Sequence, residues 1–251
     1  MTRAPRRRSW LTRAADIVWP PRSLASDAIV DRPGSIEAAK WTSLTFLGPP
    51  CCACCGFPFE VQTDAAALCG ACLADAPAFA SARAALAYDD VARKMVLDLK
   101  RGGRRDGLNA FGGWMARAGA EALAEADFIT PTPLHWTRLL ERRFNQSAWL
   151  AQAVGRASGR AVLVDALVRR RRGRSQGGLT ASQRRRNVEG VFRAAPWSEG
   201  RVAGRTVVLI DDVFTTGATA EACAKALLRA KAARVHVLTL ARVVRPVDVV
   251  I

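Results

Sequence analysis

The sequence predicts an α/β fold, a mainly parallel and doubly wound sheet flanked by helices, with a small cysteine module near the N-terminus. Three observations carry this. From Ala84 onward, apolar runs with strand character alternate with helically spaced segments, the pattern of β–α–β crossovers. The run "TVVLI" (206–210) is continuous and β-branched, as in a strand buried on both faces. Six of the seven cysteines crowd into positions 51–72.

Composition sets the outer bounds. The chain has 251 residues, half of them hydrophobic, enough for one α/β domain and an appendage and too apolar for wholesale disorder. No apolar run approaches the roughly 18 residues that span a bilayer. The basic start "MTRAPRRRSW" is not followed by an apolar signal-peptide core, so a cytoplasmic location is expected. In a reducing compartment, clustered cysteines point to metal rather than disulfides. The formal net charge of +16 suggests polyanionic partners: phosphorylated small molecules, nucleic acid or an acidic membrane surface. A general compositional bias toward Arg is the competing explanation.

The elements follow in order. Residues 1–48 form a basic lead-in, with "SWLTRAADIVW" as a short helix ended by Pro20 and Pro21 and mixed signals between helix and disorder beyond. Residues 49–82 are the cysteine module, and 83–251 the α/β domain. "AALAY" reads as a strand, "DVARKMVLDLK" as a helix with Val91, Met95 and Leu99 on one face, and "LNAFGGWMARAGAEALAEA" as helical despite its glycines. "DFITPTPL" is a strand entering a Pro-punctuated loop, and "RRFNQSAWLAQAVGRASG" a helix with Gly159 near its end. "AVLVDALV" reads as one strand, "ATAEACAKALLRAKAA" as a helix holding Cys223 in the core, and "RVHVLTLARVV" as a last strand in which His236 is structural. No internal repeat is apparent.

The chemistry concentrates in "VVLIDDVFTTGAT" (207–219). Ligands of open α/β sheets bind beyond the carboxyl ends of the strands, where Asp211 and Asp212 stand. The segment Thr215, Thr216, Gly217, Ala218, Thr219 then leads into a helix, whose N-terminus favours phosphate. An acidic pair beside a phosphate loop suits a sugar phosphate: the carboxylates accept from ribose hydroxyls and the loop holds the 5′-phosphate. A Walker-B strand is excluded by the absence of G-x-x-x-x-G-K-[ST], and an Asp-x-Asp phosphatase by Val213. A plain strand–turn–helix with capping aspartates is the bland reading.

"CCACCG" offers two overlapping Cys-x-x-Cys registers, Cys51/Cys54 and Cys52/Cys55, and "LCGAC" supplies Cys69 and Cys72. Two such pairs make a closed Cys₄ zinc site, and closed sites are structural. Gly56 favours Cys52 and Cys55. In "PTPLHWTRLLERRFNQ", Arg138, Arg142 and Arg143 can pair with phosphate oxygens, and Asn145 and Gln146 add amide donors. His135 suits capping or loop packing at least as well as acid–base chemistry. The tract 169–186 carries eight arginines and is read three ways: a lid over a pyrophosphate, a salt-sensitive nucleic-acid contact, or a solvated loop.

Together, "CCACCG…LCGAC", "PTPLHWTRLLERRFNQ", "QGGLTASQRRRNVEGVF" and "VVLIDDVFTTGAT" resemble, in that order, the ComF family of competence-associated proteins. The resemblance implies a zinc-ribbon-like module followed by a type I phosphoribosyltransferase-like domain. It implies 5-phosphoribosyl 1-pyrophosphate (PRPP) with Mg²⁺ as ligand, Asp211 and Asp212 as catalytic residues at the ribose, and Thr215 to Thr219 at the 5′-phosphate. The pyrophosphate would face Pro133, Leu134, His135, Arg138 and Arg143, with Gln176 and Arg184 in a flexible loop. It also implies a link to DNA uptake, either through phosphoribosyl transfer to some acceptor or as a non-catalytic module binding nucleotide, single-stranded DNA and uptake proteins. Thr132 and Arg142 stand where the family pattern has Val and Gly.

Overall fold

The computed structural model describes residues 20–102, 104–134, 139–140, 143–169 and 190–244, with the backbone alone at 101 and 102. Strands β1 (Ser81–Ala87), β2 (Phe128–Pro131), β3 (Ala161–Val162), β6 (Thr206–Phe214) and β7 (Arg234–Arg242) form a five-stranded sheet in the order β1-β7-β6-β2-β3. Every pairing in it is parallel. Strands β4 (Leu167–Arg169) and β5 (Phe192–Ala194) pair antiparallel beside it. The crossovers run through α3 (Asp90–Leu97), α4 (Leu108–Ala118), α5 (Ala120–Glu125), α6 (Gln146–Ser158), the short α7 (Glu199–Val202) and α8 (Ala218–Arg229). Two short helices, α1 (Ala38–Trp41) and α2 (Gly70–Ala74), precede β1.

β6 explains the sheet. Its continuous apolar run serves two cores at once, because successive side chains point to opposite faces. Val208 and Ile210 pack with Met115, Leu150 and Val154 of α4 and α6. Val207 and Leu209 pack with Cys223 and Leu227 of α8. All four β6 residues are fully buried, each stabilising the fold by about 1.5–3 kcal/mol. The β-branched alternation breaks at Asp211, so the strand's polar end is also the sheet's carboxyl edge. No helix among the described residues is long and apolar enough to cross a membrane.

One expectation fails. "AVLVDALV" is not a single strand: Ala161–Val162 joins the parallel sheet, the chain turns at 164–166, and Leu167–Arg169 enters the antiparallel pair. Asp165 sits in that turn, and a charged residue within an apolar run is where a buried strand is free to break.

The cysteine module seats directly on the sheet. Gly56 has φ 69°, and a Cβ there would lie 2.4 Å from Ala82 O, so only glycine permits the contact. Ala82 N–H donates to Cys54 O (2.6 Å). The Arg242 guanidinium donates to Cys55 O and lies 5.4 Å from the Phe57 ring and 4.9 Å from Phe214. Ahead of the module, Thr45–Leu47 runs antiparallel along the outer edge of β1, with Leu47 N–H on Ala85 O (3.0 Å) and Ala87 N–H on Thr45 O (2.9 Å).

Candidate functional site

The two carboxylates at the end of β6 sit in different surroundings. Asp211 Oδ1 accepts from Ser147 Oγ (3.0 Å) and from the Asp212 N–H (2.9 Å). Asp212 is buried; its Oδ2 accepts from Gln146 Nε2 (2.8 Å) and its Oδ1 pairs with Lys100 Nζ (3.0 Å). Asn145 caps α6 by accepting from Ser147 N–H (3.0 Å) and donates to Thr132 O (3.1 Å). The α6 N-terminus is therefore wired to the acidic pair and to the end of β2. Gln146 and Asn145, expected as phosphate donors, instead spend their amides on Asp212 and Thr132.

Burial, and then the neighbouring Asp212 charge, push the Asp211 carboxyl up to about 7 against the opposing pull of Lys100 and Ser147. A carboxyl raised in the native state binds protons that the unfolded chain releases, so its contribution to stability falls as pH rises from about 4 to 7. Asp211→Asn removes that cost and keeps an acceptor for Ser147. The variant is expected to exceed the parent by about 1–2 kcal/mol at pH 8, given partial solvent exposure, with the gain shrinking toward pH 4. Melting temperatures of both proteins across pH 4–8 check this.

Beyond Phe214 the chain turns through Thr215 and Thr216 to Gly217 (φ 77°), the N-cap of α8. A Cβ at Gly217 would meet the Phe214 ring at 2.7 Å, so the loop closes tightly over that ring. The cap is a bare glycine, and the Ala218 N–H reaches Thr216 Oγ1 only at 3.5 Å. The unpaired N–H groups of a first helical turn favour an anion there. Asp211 and the Thr215–Ala220 segment line one small cavity, closed on the far side by Thr239 of β7.

Pro133 and Leu134 are half-buried just past β2, on the same edge. His135, Arg138, Gln176 and Arg184 lie outside the described residues, as do Arg142 and most of the arginine tract. Arg143 is exposed and has φ 62°, with its N–H on Leu139 O (2.7 Å). This corrects the register of the motif: in "RRFNQ" the residue at the glycine position is Arg143, not Arg142. Glycine suits that position because a left-handed conformation costs other residues roughly 1–2 kcal/mol.

The sequence reading missed Lys100. It projects from a π-helical turn, Asp98–Gly102, that continues α3, and among the described residues it is the countercharge paired with Asp212. Such turns recur at functional sites. The signal available in sequence was the lysine beside "RGGRR", where a helix ends at a glycine pair. Ser147 was also missed; it follows Gln146 and reads as an ordinary first-turn serine.

In the module, Sγ atoms of Cys52, Cys55, Cys69 and Cys72 all lie within 4.8 Å of one another, and Cys55 Sγ is 3.6 Å from Cys69 Sγ. A tetrahedral Zn–S₄ centre has sulfur–sulfur edges of about 3.8 Å, so these four residues fit zinc. Cys52 Sγ also accepts from the N–H groups of Cys55 (3.4 Å) and Cys69 (3.3 Å). Burial pushes the Cys52 thiol up, but these backbone donors outweigh it and bring it down to about 7, readying it as a thiolate. Burial pushes Cys55 up to about 11 and Cys72 still higher. Cys54 instead approaches Phe79 O (3.9 Å), and Cys223 is buried under β6.

Comparison with known proteins bears on both halves. The family model "Phosphoribosyl transferase domain" matches residues 149–247, and "Double zinc ribbon domain" matches 14–73. "DNA utilization protein YhgH" of Escherichia coli is 40% identical over 116 residues, covering 46% of this chain and 49% of that protein. "Competence protein F" of Haemophilus influenzae is 34% identical over 114 residues, covering 45% and 49%. "Competence protein ComFC" of Bacillus subtilis is 28% identical over 199 residues, covering 76% and 77%. The match thus spans about half the length of the first two relatives. A solved structure, glutamine PRPP amidotransferase from Bacillus subtilis complexed with ADP and GMP, is 24% identical with a TM-score of 0.38, covering 57% of this chain and 30% of that one. The parallel sheet is that of a phosphoribosyltransferase-like domain, the cysteine cluster suits structural zinc, and the chain is similar to the ComF-type competence proteins in both halves.

Proposed function

We propose that this chain binds PRPP at the carboxyl edge of β6 and serves DNA uptake or utilisation. One observation carries the reading: Asp211 opens onto the same cavity as the Thr215–Thr219 loop and the glycine-capped start of α8. Asp211 and Asp212 accept from the ribose hydroxyls. Thr215, Thr216, Gly217, Ala218 and Thr219 hold the 5′-phosphate by backbone N–H and hydroxyl groups. Pro133, Leu134, His135, Arg138 and Arg143, with Gln176 and Arg184, serve the pyrophosphate. Mg²⁺ bound with PRPP supplies charge neutralisation at the pyrophosphate. Where transfer to an acceptor follows, these residues orient the sugar and exclude water while C1 loses pyrophosphate. Zn²⁺ on Cys52, Cys55, Cys69 and Cys72 is structural, since four thiolates leave no open position. The names of the relatives, competence protein and DNA utilization protein, support the biological setting.

The test is a thermal-shift titration of zinc-loaded protein with PRPP and Mg²⁺. A rise of several degrees is expected, lost when Asp211→Asn and Asp212→Asn are combined; no PRPP-dependent shift in the parent protein would sink the reading. A second reading, a non-catalytic module for single-stranded DNA, draws on one further observation. Trp41 and Phe46 are exposed and pack with Trp114 at centroid distances of 5.4–5.8 Å, a surface on which bases can stack. Salt-steep DNA binding without a PRPP shift would favour it.

A further inference from the structure

The double zinc ribbon model covers residues 14–73, yet every cysteine of that span lies at 51 or beyond, and the span holds no histidine. The backbone nevertheless shows two ribbons. In the cysteine module, Cys52 N–H donates to Phe57 O (2.8 Å), Phe59 N–H to Pro50 O (2.9 Å) and Ala53 N–H to Ala67 O (2.9 Å). Upstream, Ser23 N–H donates to Ala28 O (2.8 Å), Val30 N–H to Pro21 O (2.9 Å) and Leu24 N–H to Ser35 O (3.0 Å). The first two bonds of each set have the same offsets from Ser23 as from Cys52, and the third reaches a residue two before the second knuckle in both, the upstream loop being three residues shorter. The bridges Arg22–Ile29 and Cys51–Pro58 match likewise. Cys69 is the N-cap of α2, and Glu37, at the corresponding place, is the N-cap of α1. Even the entry repeats, as "PPRS" and "PPCC".

Laid on this frame, the ligand positions Cys52, Cys55, Cys69 and Cys72 correspond to Ser23, Ser26, Glu37 and Lys40. Both sets keep the x-x spacing within each pair. The upstream set does not fit zinc: neutral hydroxyls are poor ligands, and a lysine ammonium repels the ion. The same side chains satisfy one another instead. Ser23 Oγ donates to Glu37 Oε2 and accepts from Ala25 N–H (3.0 Å). Burial pushes the Glu37 carboxyl up, but hydrogen bonds from Ser23 and Ser26 and the charge of Lys40 hold it below its ordinary value. Arg104 steadies the knuckle from outside, donating to Ser23 O (3.1 Å) and Arg22 O (2.9 Å).

We infer that residues 20–44 are a metal-free ribbon, in which Ser23, Ser26, Glu37 and Lys40 occupy the four ligand positions and replace the ion with hydrogen bonds and charge. The protein therefore carries one zinc per chain, not two, and only its downstream ribbon responds to metal supply. The experiment is metal analysis of purified full-length protein saturated with zinc and desalted. The parent holds one zinc, Cys72→Ser none, and the fourfold variant S23C/S26C/E37C/K40C two, with cobalt substitution doubling the thiolate charge-transfer band. Glu37→Gln keeps one zinc, which provides a check should the fourfold variant not fold. Two zinc ions in the parent, an ion that survives Cys72→Ser, or an ion lost in Glu37→Gln would each overturn the inference.

Discussion

Chelation, or Cys52→Ser, is expected to unfold residues 49–80 while strands β6 and β7 keep their protection. Cys52 is fully buried and accepts two backbone N–H bonds, so a serine there loses both a thiolate and the seat of the knuckle. The ribbon has little core of its own, chiefly the cysteines with Phe57 and Phe59 packed against them. Its folding energy is then largely the binding energy of its ion, about 10–16 kcal/mol for structural zinc at neutral pH. The damage should travel, because Arg242 touches both Cys55 O and the Phe214 ring beneath the Gly217 loop. Hydrogen exchange read by mass spectrometry, with and without chelator, should show protection lost over 49–80, reduced at 214–219 and retained over 20–44. Unchanged exchange across 49–80 would refute the structural role of the ion.

Asp212→Ala should be the most damaging single change in the sheet-edge site. It leaves the Lys100 ammonium without its counter-ion and takes from Gln146 Nε2 the carboxylate it donates to, a carboxylate that is nearly wholly buried. Removing one partner of a buried pair costs about 3 kcal/mol or more, because the other charge stays without its solvent. For a chain of this size that is a fall of roughly 10 °C in melting temperature. The pair K100M/D212N should recover most of the loss, since matched removal leaves no lone charge. Equal destabilisation in the double variant would show that the ion pair is not the source. PRPP-dependent stabilisation should vanish in both variants, which separates the loss of the ligand from the loss of the fold.

What could be read beforehand follows from which signals are local. β6 and its acidic end were legible because strand, charge change and loop occupy thirteen consecutive residues. The cysteine quartet was legible from spacing. Lys100 was not, because the lysine beside the glycine pair marks a helix end but not the π-helical turn that carries it to Asp212. Gln146 was read as an anion donor because sequence shows an amide but not the carboxylate it meets across the α6–β6 packing. The upstream ribbon was hidden for a different reason. A repeat is seen in side chains, and replacing cysteines by Ser, Glu and Lys erases that signature while backbone bonds such as Ser23 N–H to Ala28 O persist.

The antiparallel stretch Thr45–Leu47 gives the N-terminal region a task separate from metal or ligand. It occupies the outer hydrogen-bonding rim of β1, which would otherwise offer unpaired amides and carbonyls beside Ala85 and Leu86. An open rim of that kind recruits other chains. A truncation made to isolate the catalytic-looking half, beginning after residue 48, would therefore yield a protein prone to self-association. The Thr45–Leu47 stretch acts as its built-in guard against oligomers and aggregates.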